Sequence, residues 1–315
     1  MNDMVSKGAA VQLHCRRNLG KLKRDLPLHL MILPGLVLLL IYNYIPMVGI
    51  TMAFQDYHVT QRILGSKFVG LQNFRDIFSY PETVQILLNT VIISVAKIIL
   101  GLIVPIIFAL LLNEVKTKWF SRAVQTFVYL PHFLSWVIMA GILIDLLSPS
   151  TGIVNKFLHL FNIGPIYFLG DNNWFQSTLI TTDVWKEFGF STIVYLAALT
   201  GIDPSLYEAA QVDGAGRWQQ TLHITLPGIS MMIALMATLS LGNVLNAGFD
   251  QVFNLYSPQV YQTGDVLDTF VYRMGLGQAQ YSFATTIGLF KSVISFVLMS
   301  VAYWLAYRFA DYNVF

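Results

Sequence analysis

Three stretches of this 315-residue chain, 26–55, 123–144 and 218–249, contain no Asp, Glu, Lys or Arg. Crossing about 30 Å of hydrocarbon takes roughly 20 apolar residues, so each run is long enough to span a bilayer as a helix. Three further apolar segments, near 84–112, 174–200 and 283–307, have the length but carry charge. The first holds Lys97, the second Asp183, Lys186 and Glu187, and the third Lys291. The expected fold is therefore an all-α membrane protein with six transmembrane helices. Barrel strands would alternate in polarity over about ten residues, whereas these runs are continuous and rich in Leu and Ile. Composition agrees: 11% of residues are charged and 55% hydrophobic, against about a quarter charged in a water-soluble domain.

The basic residues set the orientation. Lys7, Arg16, Arg17, Lys21, Lys23 and Arg24 precede the first span, and such a cluster stays on the cytoplasmic side. With six spans, Lys116, Lys118, Arg122, Arg217 and Arg308 join them inside, and Arg62, Lys67, Arg75, Lys156 and Arg273 lie outside. Both termini are then cytoplasmic. The first apolar run is too long for a signal-peptide core and no small-residue cleavage site follows it, so it is kept as a span. The expected organisation is a basic cytoplasmic segment 1–27, a membrane domain 28–308 and a cytoplasmic tail 309–315. Outer loops fall at 56–83, 148–173 and 250–282, the last two long enough for short interfacial helices. Pro34, Pro46, Pro105 and Pro131 fall inside spans and are expected to bend them.

Several chemistries are excluded. A phosphate-cradling loop needs Gly-Lys-Ser/Thr, and Gly20-Lys21-Leu22 lacks the hydroxyl. The six histidines are scattered with no His-Glu-x-x-His, no Gly-x-Ser-x-Gly elbow occurs, and a lone Cys15 makes neither a disulfide nor a thiolate metal site. The chain is not expected to be an enzyme, nor to hold a cofactor or metal. Its 19 basic and 17 acidic residues are too balanced for a nucleic-acid binder.

Between the fourth and fifth spans, Asp203-Pro204 is a strong helix start, because Asp caps free N–H groups and Pro is preorganised at the first helical position. That helix should stop near Gly214 and resume from about Arg217 until Pro227 and the next span. The segment 201–227 reads Glu208-Ala209-Ala210, three residues, Gly214, nine residues, Ile224-x-Leu226-Pro227. It resembles the EAA loop of permease subunits of ATP-binding-cassette importers. Leu33-Pro34-Gly35, Tyr44-Ile45-Pro46, Gly70-Leu71-Gln72-Asn73-Phe74, Leu88-Asn89-Thr90, Ala109 to Glu114, Tyr129-Leu130-Pro131 and Gly248-Phe249-Asp250-Gln251 look like the sugar-permease branch. Within it the chain is most similar to permeases for complex oligosaccharides, those of alginate import among them.

That resemblance implies a type I importer permease fold in a bacterial plasma (inner) membrane and a share in oligosaccharide uptake. It implies a second permease subunit, so a heterodimer, two ATPase subunits that use ATP and Mg, and an extracytoplasmic solute-binding protein. The loop would be the coupling helix, with Glu208, Ala209, Ala210, Asp213, Gly214, Ile224, Leu226 and Pro227 meeting the ATPase. The rival reading, a secondary ion-coupled transporter, would need coupling-ion groups and usually repeated halves, neither of which is visible. A pure membrane scaffold would not need a docking loop.

Charges inside spans should face partners or a wet cavity. Asp183, Lys186 and Glu187 fall on one helical face. With Lys97, Lys291, Trp185, Phe190, Asn243 and Asn246 they are candidate pathway residues, against the alternatives of structural ion pairs and helix-to-helix contacts. Three buried lysines, set against Asp183, Glu187 and Asp145, would leave cationic charge on the cavity if the acids are used locally, which slants the expectation toward an acidic oligosaccharide.

Overall fold

A computed structural model describes residues 26–309. The basic cluster from Lys7 to Arg24 and the tail beyond 309 lie outside the described residues. Helix α1 runs from Leu26 to Phe54, α2 from Pro81 to Asn113 and α3 from Lys118 to Tyr129. Then come α4 (Trp136–Leu147), α5 (Asn172–Leu199), α6 (Pro204–Val212) and α7 (Arg217–Leu241). Two short helices, α8 (Phe249–Leu255) and α9 (Leu267–Tyr272), precede the long α10 (Tyr281–Phe309).

Among the described residues α1, α2, α7 and α10 are long and apolar enough to cross a bilayer, and α3 with α4 would be a fifth span as a bent pair. Helix α5 has 28 residues but carries the three charges anticipated from the sequence. Counting it is compatible with six. The expectation of no strands needs one small correction, because Gln55–Asp56 pairs antiparallel with Lys67–Phe68 in the first outer loop.

Proline explains much of the irregularity. The ring crowds the carbonyl four residues back, and the helix answers with a widened π-type turn at Leu40–Tyr44 before Pro46, and another at Thr221–Thr225 before Pro227. Helix α7 therefore passes through Pro227 without a break. At Pro131 the outcome differs: α3 tightens into Leu130–Phe133, Ser135 caps α4 by accepting from the Ile138 N–H, and the two halves meet at 107°. The run 123–144 is thus two helices meeting at a sharp bend rather than one straight helix.

The run 218–249 needs correction too. Its helix ends at Leu241, and Asn243 and Asn246, expected one turn apart on a helix, sit in a non-helical turn instead. The turn is bracketed by Gly242 and by Gly248, whose φ of +89° is readily reached only by glycine.

Helices α2 and α5 form the central pair. Their contacts climb together, from Asn89–Gln176 through Lys97–Asp183 to Phe108–Phe188, so they run parallel. Helix α8 and α4 close one side around Ile93, Met139, Phe175, Leu179 and Val252. Helices α9 and α10 close another around Ile86, Leu267, Phe270 and Ile287. Ala109, Tyr195, Leu199 and Ile229 pack the far end beneath α6. By contrast, no side chain between Leu26 and Tyr44 is buried, an apolar surface that water would penalise and lipid tails accept.

Candidate functional site

At one end of the bundle, α6, a turn and the start of α7 make a protruding helix–turn–helix. Asp203 caps α6 by accepting from the Ser205 N–H at 2.9 Å, and Pro204 follows. That backbone donor holds the Asp203 carboxyl below the ordinary aspartate range. Gly214 turns the chain at a φ of +80°, and the Ala215 N–H closes the turn onto the Ala210 carbonyl at 2.8 Å. The Gln219 side chain accepts from the Gly216 N–H at 2.8 Å and so caps α7. The Tyr207 hydroxyl joins the two helices of the unit through Thr225 at 3.0 Å, and Arg217 ties it to Glu114 at the end of α2 at 3.0 Å.

The outward surface of this unit is different in kind. Glu208 and Ala209 are exposed, Ala210 and Ile224 line a cleft of about 340 Å³ with Asp213 and Gly214, Leu226 is half-buried and Pro227 exposed. Val212 is 88% and Trp218 72% exposed. Glu208 makes no ion pair or side-chain hydrogen bond among the described residues. An apolar rim around an unpaired carboxylate suits a partner protein with a cleft and a basic group.

Midway along α2 lies a cavity of about 540 Å³. It is lined by Ser94 and Lys97 of α2, Asp183, Glu187 and Ser191 of α5, Ser240 of α7, and the turn from Asn243 to Gly248. The Lys97 ammonium donates to Asp183 at 3.2 Å, to the Ala247 carbonyl at 2.7 Å and to the Gln251 side-chain oxygen. Gln251 is fully buried, and its amide donates to the Leu179 carbonyl at 2.8 Å and to Thr182 at 2.9 Å. A Cβ on Gly248 would stand 3.3 Å from the Lys97 ammonium, so glycine there serves both the left-handed turn and the close approach.

The expected pathway residues divide. Lys97, Asp183, Glu187, Asn243 and Asn246 share this cavity. Lys186 lies behind it, bonded to Glu187 at 2.8 Å and to the His132 carbonyl at 3.0 Å, and stands over the Trp136 ring. Glu187 turns its other oxygen to His132 at 2.7 Å, and Phe190 stacks on that imidazole at 4.0 Å. Phe190 therefore braces the break between α3 and α4 and does not line the cavity, nor does Trp185. Lys291 pairs elsewhere, with Asp268 of α9 at 2.5 Å. Each of the three lysines has a carboxylate partner, so the surplus of cationic charge expected from the sequence is not present. Gln251 and His132 were missed as site residues: Gln251 was noticed only inside a family motif, and nothing local to His132 points to α5.

Helices alternating between two ends, a polar cavity at mid-length and a protruding unit at one end define the membrane-embedded subunit of a transporter. The chain belongs to the family of binding-protein-dependent transport system inner membrane components, whose profile matches residues 101–311. It is 41% identical over 300 residues to the polygalacturonan/rhamnogalacturonan transport system permease protein YteP of Bacillus subtilis (strain 168), covering 95% of this chain and 94% of that protein. The trehalose/maltose transport system permease protein MalF of Thermococcus litoralis is 31% identical over 274 residues, covering 86% and 91%. Among solved structures, a chain of a bacterial ABC transporter involved in the import of the acidic polysaccharide alginate matches with a TM-score of 0.86 at 41% identity, covering 93% of this chain and 99% of that one. The expected place in the sugar-permease branch of ATP-binding-cassette importers, with a type I importer fold and a multi-pass inner-membrane setting, is thereby met.

Proposed function

We propose that this chain is one of two different permease subunits which, with two ATPase subunits and an extracytoplasmic binding protein, carry an acidic oligosaccharide into the cytoplasm. The observation that carries the reading is the mid-length cavity, where hydroxyl, amide and carboxylate groups converge between α2, α5 and α7. Such a lining suits a hydroxyl-rich ligand, which exchanges hydrogen bonds with water for hydrogen bonds with the wall. The acidic class is supported by the two relatives at 41% identity, which are named for polygalacturonan/rhamnogalacturonan and for alginate, whereas the trehalose/maltose permease at 31% is named for neutral sugars. It is not supported by the lysines of this subunit. The solved alginate transporter in complex with an oligosaccharide-bound periplasmic protein supports delivery by such a protein.

In this reading the loop 201–227 and both termini face the cytoplasm, and 1–27 and 309–315 are cytoplasmic extensions of the membrane domain. ATP with Mg binds the partner ATPases, their closure moves the docked loop, and the helices rock around the cavity. Glu208 meets a basic group of the ATPase, Ala209 and Ala210 allow close approach, and Gly214 sets the angle between the short helices. The chain itself catalyses nothing. No relative favours the ion-coupled alternative.

The test is reconstitution of the complex in proteoliposomes with its loaded binding protein. ATP-dependent uptake of a uronate tetrasaccharide is expected, with no hydrolysis by this chain alone. Uptake driven by an ion gradient without ATP would overturn the reading. Orientation is checked with Cys15 replaced and single cysteines at Ser205 and at the exposed Gln259: in intact cells an impermeant thiol reagent should label position 259 and not 205.

A further inference from the structure

We infer that this subunit meets the hydroxyl edge of its saccharide and not the carboxylate edge, with Asp183 as the acceptor and Gln251, acting through Lys97, as the positioning residue that aims it. The inference rests on the transport reading above and assigns the side of the ligand that this wall of the cavity receives.

Most of the charged atoms in the cavity are already occupied. Lys97 has three N–H donors, and all three are used, on Asp183 Oδ1, the Ala247 carbonyl and Gln251 Oε1. Its side chain is 9% exposed, so no donor is left to meet an arriving carboxylate. Glu187 is occupied on both oxygens, by Lys186 and by His132. Asp183 is not, because one oxygen takes Lys97 and the other has no partner among the described residues, on a side chain that lines the cavity. Ser94, one helical turn before Lys97, is 2% exposed, and its enclosed hydroxyl has no partner among the described residues.

The free groups on this wall are therefore one carboxylate oxygen, the neutral hydroxyls and amide of Ser191, Ser240 and Asn243, and the amide nitrogen of Asn246, whose oxygen accepts from the Gly248 N–H at 3.3 Å. A carboxylate oxygen accepts from a sugar hydroxyl in a charge-assisted bond, and repels a uronate carboxylate placed at the same spot. The uronate groups of an acidic ligand thus point away from α5, toward the rest of the assembly. What keeps the free oxygen of Asp183 aimed is a relay: the Leu179 carbonyl and Thr182 orient the Gln251 amide, Gln251 holds Lys97, and Lys97 holds the first oxygen of Asp183.

The experiment uses the whole complex in proteoliposomes, with saturating loaded binding protein, and reads uptake per ATP hydrolysed, a ratio that inactive or misfolded copies do not change. The probes are a uronate tetrasaccharide and its carboxyl-reduced, neutral counterpart. Asp183→Asn should lower the ratio about tenfold, the scale of one charge-assisted hydrogen bond, and equally for both probes. Gln251→Met should lower it several-fold, and add little on top of Asp183→Asn, since both act on one contact. Lys97→Arg should leave the preference between the probes unchanged. Selective improvement of the acidic probe in Asp183→Asn, or additive losses in the double variant, would overturn the assignment. Absence of ATP-dependent uptake of both probes by the wild-type complex would instead fail the transport reading.

Discussion

The loop at the end of the bundle and the cavity at its middle are built on opposite rules. In the cavity almost every charged atom has a partner supplied by this chain, from as far away in sequence as Lys97 and Gln251. In the loop the internal hydrogen bonds fix the backbone, at Asp203, Ala215 and Gly216, while Glu208, Val212 and Trp218 are left outward without partners in the described chain. A buried charge without a partner is costly, so the cavity must be satisfied before any ligand arrives. An exposed charge costs little, so the loop can leave Glu208 unpaired, as the proposed docking requires.

This contrast can be broken most forcefully at Lys97. Lys97→Met leaves Asp183 and Gln251 facing each other without the cation, a loss of about 3–5 kcal/mol for a buried pair. The temperature at which the detergent-solubilised complex aggregates should fall by more than for any loop variant, and an unchanged value would mean that the pair is wet. Glu208→Lys should do the reverse, cutting uptake at least about tenfold while that temperature stays within error. Undiminished uptake would show that the loop does not couple through this carboxylate.

Gly214→Ala tests the turn. No atom lies near where the new Cβ would go, so the cost is the left-handed backbone alone, about 1 kcal/mol, and uptake should drop a few-fold. Glu114→Gln removes an exposed partner of Arg217, worth no more than about 1 kcal/mol; uptake should change less than twofold. The smallest effect concerns acid. Because the Asp203 carboxyl titrates below its unfolded value, its cap is complete above the ordinary aspartate range and is lost only as pH falls through the lowered value. Amide exchange at Ser205 should accelerate there, and Asp203→Asn, which keeps an acceptor oxygen, should abolish that acid dependence.

How legible each region was follows from the same contrast. The loop's determinants lie within one segment, where Asp203-Pro204 starts a helix and Gly214 turns it, so a local reading found them. The cavity joins α2, α5 and the turn after α7, and its partners are set by packing between distant segments. Lys97 announced itself as a charge in an apolar run, but nothing in the run names Gln251. The turn holding Asn243 and Asn246 was hidden because 218–249 is uniformly uncharged; Gly242 and Gly248 were the available signal. Pro131 marked a bend without giving its angle, since that angle depends on Lys186 and Glu187 gripping His132 from α5.

The widened turn ahead of Pro227 has a mechanical side. Because the helix absorbs the proline there, Arg217 through Leu241 forms a single rod of 25 residues, about 37 Å long at 1.5 Å per residue. Its first turn is the far half of the loop 201–227 that we propose docks the ATPase, and its last bears Ser240 on the cavity wall. A tilt of about 10° imposed at Trp218 would sweep the other tip through about 6 Å, by the geometry of a rod of that length. A break at Pro227 would dissipate such a tilt in a joint; under the proposed coupling, the continuous helix carries it to the cavity.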